Sequence, residues 1–219
     1  MNWITHADTI IFNHKYNEKL DTNLISGFAK VIFSDYVLNE NSLKYYTTNS
    51  VVCEMRCALS KFNQDVSNLP SSITHLVFGH YFNQDISNLP PSLTHLTLGY
   101  CFDKQCSIQS NVKYLNLNCN NQYIIDSLPD SIVKLELDYH FNLQMDNLPT
   151  SIKKLIIIDV NSDYNKDLNC LPNFIEELQL NRYYKKRITN IPPNLKKLSC
   201  HMNYPYKDDF KMCMVDCYS

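Results

Sequence analysis

The sequence predicts a repeat solenoid. It reads as about nine coils of about 20 residues, with one parallel sheet of short strands and turns or 3₁₀ segments on the convex side. Three observations predict it. The stretch FNQDVSNLPSSITHLVFGHY (Phe62–Tyr81) is followed at once by FNQDISNLPPSLTHLTLGYC (Phe82–Cys101). A related segment then recurs as IQSNVKYLNL, LPDSIVKLEL, LPTSIKKLII, LPNFIEELQL and IPPNLKKLSC, opening at Ile108, Leu128, Leu148, Leu171 and Ile191. Inside each unit six mostly apolar positions keep one spacing: Phe82, Ile86, Leu89, Leu93, Leu96 and Leu98 in one, Phe141, Met145, Leu148, Ile152, Leu155 and Ile157 in another, and Tyr184, Ile188, Ile191, Leu195, Leu198 and Cys200 in the last.

Residues 1–22 (NWITHADTIIFNHKYNEKLD and its flanks) are read as an N-terminal cap. Residues 23–61 hold two degraded units: NLISGFAKVIF (Asn23–Phe33) matches NLPSSITHLVF in its apolar positions, and TNSVVCEMRC (Thr48–Cys57) matches less well. Residues 62–203 carry the regular repeats, and residues 204–219, charged and aromatic, form a C-terminal cap. Caps are expected because a stack must hide its terminal apolar faces from water.

Within a unit the final L-x-L step has period two, which is strand-like. A proline such as Pro90 breaks any helix through the middle of the unit. The consistent solution is a closed coil with all six apolar residues inward. One coil alone cannot offset the entropy of ordering about 20 residues. Stacked neighbours cover both of its faces, so each copy supplies the core of the next. Asn63, Asn83 and Asn142, with Asp103 as a substitute, follow the aromatic residue and suit a ladder of side-chain-to-backbone hydrogen bonds. Gln122, Ser162 and Lys185 occupy that place in other units, leaving the ladder incomplete.

Bulk properties exclude several functions. With a net charge of -2 over 219 residues, no general attraction to nucleic acid or an anionic membrane is expected. No stretch approaches the roughly 20 apolar residues of a membrane helix. The N-terminus lacks the basic and apolar regions of a secretory signal. Gly27, Gly79 and Gly99 are the only glycines, so no glycine-rich phosphate loop is possible. The 9 cysteines include no CxxC pair and read as free thiols in a reducing compartment, the rival being a staple or metal site at Cys213 and Cys217.

The stretch FNQDISNLPPSLTHLTLG resembles the FNIP repeat, a leucine-rich-repeat-like unit found in social amoebae and in giant viruses that infect amoebae. The resemblance is clear over Phe62–Cys200, although most units here are shorter than is usual for the family. It implies protein–protein interaction and supplies no catalytic residues. Some members carry an F-box or kinase domain beside the repeats, and residues 1–22 are too short for either. For a viral source the resemblance implies engagement of a host protein in the host cytoplasm; otherwise a cytoplasmic protein is expected.

Residues flanking the inward leucines face the concave surface. Before the middle leucine they read His75, His95, Tyr114, Lys134, Lys154, Glu177 and Lys197; after it, Val77, Thr97, Asn116, Glu136, Ile156, Gln179 and Ser199. The expected binding residues are His75, Val77, His95, Thr97, Tyr114, Asn116, Lys134, Glu136, Lys154, Ile156, Glu177 and Lys197, with a protein as partner. The pair His75 and His95 lacks the three or four ligands of a metal site, so no metal or cofactor is expected. Glu136 and Asp138 with Asn116 and Asn118 suggest, as the competing class, a carbohydrate-active solenoid enzyme. The aromatic and basic YYKKR (Tyr183–Arg187) is read as a turn with nearby acids, not a nucleic-acid patch. A monomer is expected, with self-assembly through the end coils as the alternative.

Overall fold

A computed structural model describes residues 2–38, 57–158 and 162–219. The chain divides into two compact units, Met1–Lys104 and Gln105–Ser219. Both are parallel-strand β-solenoids with little helix.

The first unit opens with an antiparallel hairpin of β1 (Trp3–His6) and β2 (Thr9–Phe12). A one-turn helix, α1 (Thr22–Ile25), follows, and the Asp21 side chain caps it by accepting the Asn23 N–H. Strands β3 (Lys30–Phe33), β4 (His75–Val77) and β5 (His95–Leu98) then stack in parallel on β2. Thus Thr9–Phe12, inside the expected N-terminal cap, is itself a rung of the parallel sheet. The faint copy at Thr48–Cys57 lies, Cys57 apart, outside the described residues, and β3 pairs directly with β4. The Ala58 N–H donates to the Asp35 carbonyl at 2.8 Å. The Asp35 carboxylate accepts the N–H groups of Ser60 at 2.6 Å and His80 at 2.8 Å, which ties the end of the β3 coil to the next one.

The second unit contains β6 (Tyr114–Leu117), α2 (Gln122–Asp126), β7 (Lys134–Leu137), β8 (Lys154–Ile157), β9 (Glu177–Gln179), β10 (Lys197–His201) and β11 (Met214–Tyr218), with a 3₁₀ turn at Lys207–Asp209. Successive strands pair in parallel. Between β6 and β7 the helix α2 takes the place of a turn. There the Asn121 side chain accepts the Ile124 N–H at 3.3 Å and starts α2.

The inward rows are built from the expected leucines. Leu76 lies opposite Leu96 in the first unit, and Leu115, Leu135, Leu155, Leu178 and Leu198 form one row in the second. All are buried. So are all six repeating residues of the units beginning at Phe82 and Phe141. Ile191 of the last unit is half-exposed.

The proline step makes a β-turn. The carbonyls of Pro70, Pro90, Pro129, Pro149, Pro172 and Pro192 accept the N–H of Ile73, Leu93, Ile132, Ile152, Ile175 and Leu195 at 3.0–3.3 Å. Where a serine stands just before that apolar residue, it ties the turn to the preceding coil. Ser92, Ser131 and Ser151 donate to the carbonyls of Ile73, Val112 and Ile132 at 2.7–2.8 Å. Unpaired backbone carbonyls are thereby satisfied at the edge of the core.

The asparagine ladder is present. Asn17 accepts the Asn63 N–H at 2.9 Å, Asn63 that of Asn83 at 2.8 Å, and Asn83 that of Asp103 at 3.1 Å. In the second unit Asn120 serves Asn142 at 2.8 Å and Asn165 serves Lys185 at 3.2 Å. Asn120 and Asn165 therefore do the accepting that a simple count assigns to Gln122 and Ser162. The helix α2 and the extra residues near SDYNKD shift the register of their coils. Lys185 takes part through its backbone, so its long side chain is no obstacle.

Candidate functional site

Alternation along each strand sends one set of side chains into the core and the other outward. The burial of β5, β7 and β8 follows that rule, with buried residues alternating with half-exposed ones. His75, His95, Lys134, Lys154, Glu177 and Lys197 all occupy outward positions, as do Val77, Thr97, Asn116, Glu136 and Ile156; each is half-exposed. Tyr114 is 40% exposed.

In the first unit two rows flank the inward residues, with Thr9 and Ile11 buried and the others at least half-exposed. His6, Thr9, Lys30, His75 and His95 are aligned across β1 to β5. Ile4, Ile11, Ile32, Val77 and Thr97 form the adjacent, largely apolar row. The His75 and His95 rings stack, with centroids 3.7 Å apart and planes 14° from parallel. Threonines orient them. Thr74 donates its hydroxyl to the Ala29 carbonyl at 3.3 Å and lies 2.8 Å from His75 Nδ1; Thr94 donates to the Thr74 carbonyl at 3.2 Å and lies 2.8 Å from His95 Nδ1. Which partner donates in each Thr–His contact depends on the imidazole tautomer. Burial, then the charge of Lys30, pushes the His75 pKa down, opposed by Asp8.

In the second unit the outward charges face one another. Lys134 binds Glu136 at 2.7 Å, Lys154 binds Glu177, and Lys197 binds Asp216 at 2.9 Å. Glu136, which the enzyme reading needs as an acid or base, is held by Lys134. The carboxylate of Asp138 accepts the Tyr139 N–H at 2.8 Å. A shallow groove of the same face is lined by Lys154, Ile156, Glu177, Gln179, Lys197 and Ser199. Sequence spacing places these residues side by side but does not reveal the Lys197–Asp216 pair, because Asp216 belongs to a strand without the repeat pattern.

Other singled-out residues have local structural roles. In YYKKR, Arg187 bonds to Asp209 at 2.8 Å and lies 5.6 Å from the centroid of the Tyr206 ring. Tyr184 of the same stretch is buried, and its hydroxyl donates to the Lys166 carbonyl at 3.2 Å. Cys200 and Cys217 are register partners on β10 and β11. Burial pushes the Cys119 thiol up to about 12. No group of three or more His, Cys, Asp or Glu side chains suited to a metal ion occurs among the described residues. Nor is any helix among them long and apolar enough to cross a membrane.

The FNIP Repeat family model matches residues 62–101, 104–140, 121–160 and 164–201, more than half of the chain. The chain belongs to the FNIP repeat family. An FNIP chain of this kind is a repeat scaffold, commonly a protein-interaction fold and typically non-enzymatic. No curated protein matches the chain. Among solved structures it is similar to CroV588, described as a novel circular LRR protein, with a TM-score of 0.45 and 20% identity over 93% of this chain and 38% of that one. The chain thus spans well under half the length of that protein.

Proposed function

We propose that this FNIP repeat protein is a non-enzymatic scaffold whose outward strand face binds a partner protein. One observation carries the reading. The inward row is leucine in coil after coil, whereas its outward neighbours change from His75 and His95 to Tyr114, Lys134, Lys154, Glu177 and Lys197. A constant interior supports a varied exterior, which suits recognition better than core packing does. Tyr114 is an anchor of the type enriched at interfaces, and the charges set partner choice. The binding residues proposed are His75, Val77, His95, Thr97, Tyr114, Asn116, Lys134, Glu136, Lys154, Ile156, Glu177 and Lys197. For a viral source, the partner is a host protein. The proposed compartment is the cytoplasm, supported by Cys106, Cys119 and Cys200 lying buried as thiols.

Affinity capture from a cell lysate with the wild-type chain and with Lys134→Glu/Lys154→Glu tests the reading. The wild type should retain a specific protein that the variant loses, with thermal stability changed by less than about 1 kcal/mol for each disrupted surface ion pair. Equal capture by both, together with equal capture by Tyr114→Ala, excludes this face. A large loss of stability makes the two lysines structural.

A further inference from the structure

We propose that Cys200 and Cys217 are an oxidative modification site, where a hydroperoxide converts the two thiols into a disulfide that staples β11 to β10. The inference goes beyond partner binding and needs no occupant on the outward strand face.

The geometry comes from the strand register. β10 and β11 run parallel, and Cys200 lies opposite Cys217. Adjacent strands are roughly 4.8 Å apart, inside the span of about 4.4–6.8 Å between the Cα atoms of a disulfide. Alternation puts both side chains on one side of the sheet. Leu198 and Cys200 are the buried residues of β10, and Val215 and Cys217 are their partners on β11. The two thiols are close enough to hydrogen-bond. Other coils carry Leu98, Leu117, Leu137, Ile157 and Leu180 at the Cys200 position, all buried. Packing is met there by leucine or isoleucine, so cysteine is a departure, and two neighbouring rungs share it.

Exposure separates the roles. Cys217 is exposed, whereas Cys200 is fully buried. A hydroperoxide therefore reaches Cys217 first. The Cys217 thiolate sulfur attacks one peroxide oxygen and the O–O bond breaks. Cys217 becomes a sulfenic acid, and the other oxygen takes up the former thiol proton and leaves as water or an alcohol. The Cys200 sulfur then attacks the Cys217 sulfur. The S–S bond forms, the S–O bond breaks, and the departing hydroxide takes the Cys200 proton as water. Two thiols lose two electrons, and one hydroperoxide gains them. Burial, then the charge of Cys217 and its hydrogen bond, hold the Cys200 thiol up at about 12. An uncharged sulfenic acid at Cys217 removes the charge, which eases loss of the Cys200 proton at the step that needs it.

Two alternatives fail on geometry. Cys213, near Cys217 in sequence, precedes β11, and its thiol donates to the Phe210 carbonyl at 3.8 Å. The three strand steps from Met214 to Cys217 alone cover roughly 10 Å, beyond the disulfide limit of about 7 Å. A metal needs three or four ligands, and no such cluster occurs among the described residues.

The test treats the reduced full chain with hydrogen peroxide, alkylates the remaining thiols after denaturation and maps the peptides without reductant. A peptide linked through Cys200 and Cys217 should be the main product and should revert with dithiothreitol. Cys213→Ser should form the same link. Cys217→Ser should lose it and leave Cys200 open to alkylation. Amide hydrogen exchange of β11 should slow ~10-fold on oxidation and recover on reduction. Disulfides between chains as the main product, sulfinic acid at Cys217 without a link, or a link through Cys213 overturns the proposal. A Cys200–Cys217 link that leaves β11 exchange unchanged overturns the stapling of that strand.

Discussion

The two units share one inward pattern but fill it and flank it differently. The first stacks phenylalanines: Phe33 lies 3.7 Å from Phe62 between ring centroids, and Phe78 lies 3.6 Å from Phe82. The second carries Phe141, Tyr164, Tyr184 and Tyr204 in series at 6.0–6.4 Å, and the hydroxyls of Tyr184 and Tyr204 donate to the carbonyls of Lys166 and Lys186. Backbone approach differs as well. A Cβ on Gly99 would lie 2.0 Å from the Gly79 carbonyl oxygen, so glycine is required where these two coils touch. One coil of the second unit has Asp138 after its L-x-L step instead, with its carboxylate on the Tyr139 N–H. Outside, imidazoles and apolar residues in one unit contrast with lysine–carboxylate pairs in the other. The lesson is that a repeat specifies its interior closely and leaves edges and outward rows free to diverge.

The largest effect should come from breaking what the units share. Leu96→Ala and Leu135→Ala each empty a fully buried position in a leucine row, and each should cost about 2–5 kcal/mol in chemical denaturation. Hydrogen exchange should place the loss of protection around β5 for the first and β7 for the second. Losses under about 1 kcal/mol for both are incompatible with a leucine core.

A smaller effect should separate the units. Gly99→Ala forces two backbones apart and should cost about 1–3 kcal/mol. Asp138→Ala removes a partly exposed hydrogen bond and should cost about 0.5–1.5 kcal/mol. Comparable losses from the two would remove the distinction drawn between the coil contacts.

The smallest effect concerns acid. Asp65 and Asp85 have pKa values lowered chiefly by hydrogen bonds from Ser67 and Ser87, hydroxyl first and then N–H. Glu176 in the second unit is lowered chiefly by its hydrogen bond with Lys196. A carboxyl whose folded pKa lies below its unfolded value stabilises above the unfolded value, and that stability is lost as pH falls through the folded one. All three should therefore weaken the fold only below about pH 4. Melting curves across that range should show Ser67→Ala/Ser87→Ala with less acid sensitivity, in low and high salt alike. Loss of the Glu176 contribution in Lys196→Ala should be visible at low salt and small at high salt. A strong salt dependence at Asp65 and Asp85 would contradict their assignment to hydrogen bonds.

Much of the architecture was legible in the residues alone. The leucine rows, the proline turns and the outward positions of His75, Lys134 and Lys154 follow from a local period and from strand alternation, both written within one coil. The strand at Thr9–Phe12 was not, because its run of Thr, Ile, Ile and Phe lacks the L-x-L signature and the proline step. Asn120 and Asn165 were missed as ladder acceptors because the helix α2 and the additional residues near SDYNKD displace a fixed count.

The sequence by itself determined that the chain coils, how long each coil is and which side chains lie inside, since apolar periodicity and turn chemistry act over a few neighbouring residues. Only the tertiary structure decided which outward groups meet. The ring stack of His75 on His95, the hold of Asp216 on Lys197 and the near-contact of Gly79 with Gly99 depend on the register between coils. Hydrogen bonds and packing set that register between residues far apart along the chain.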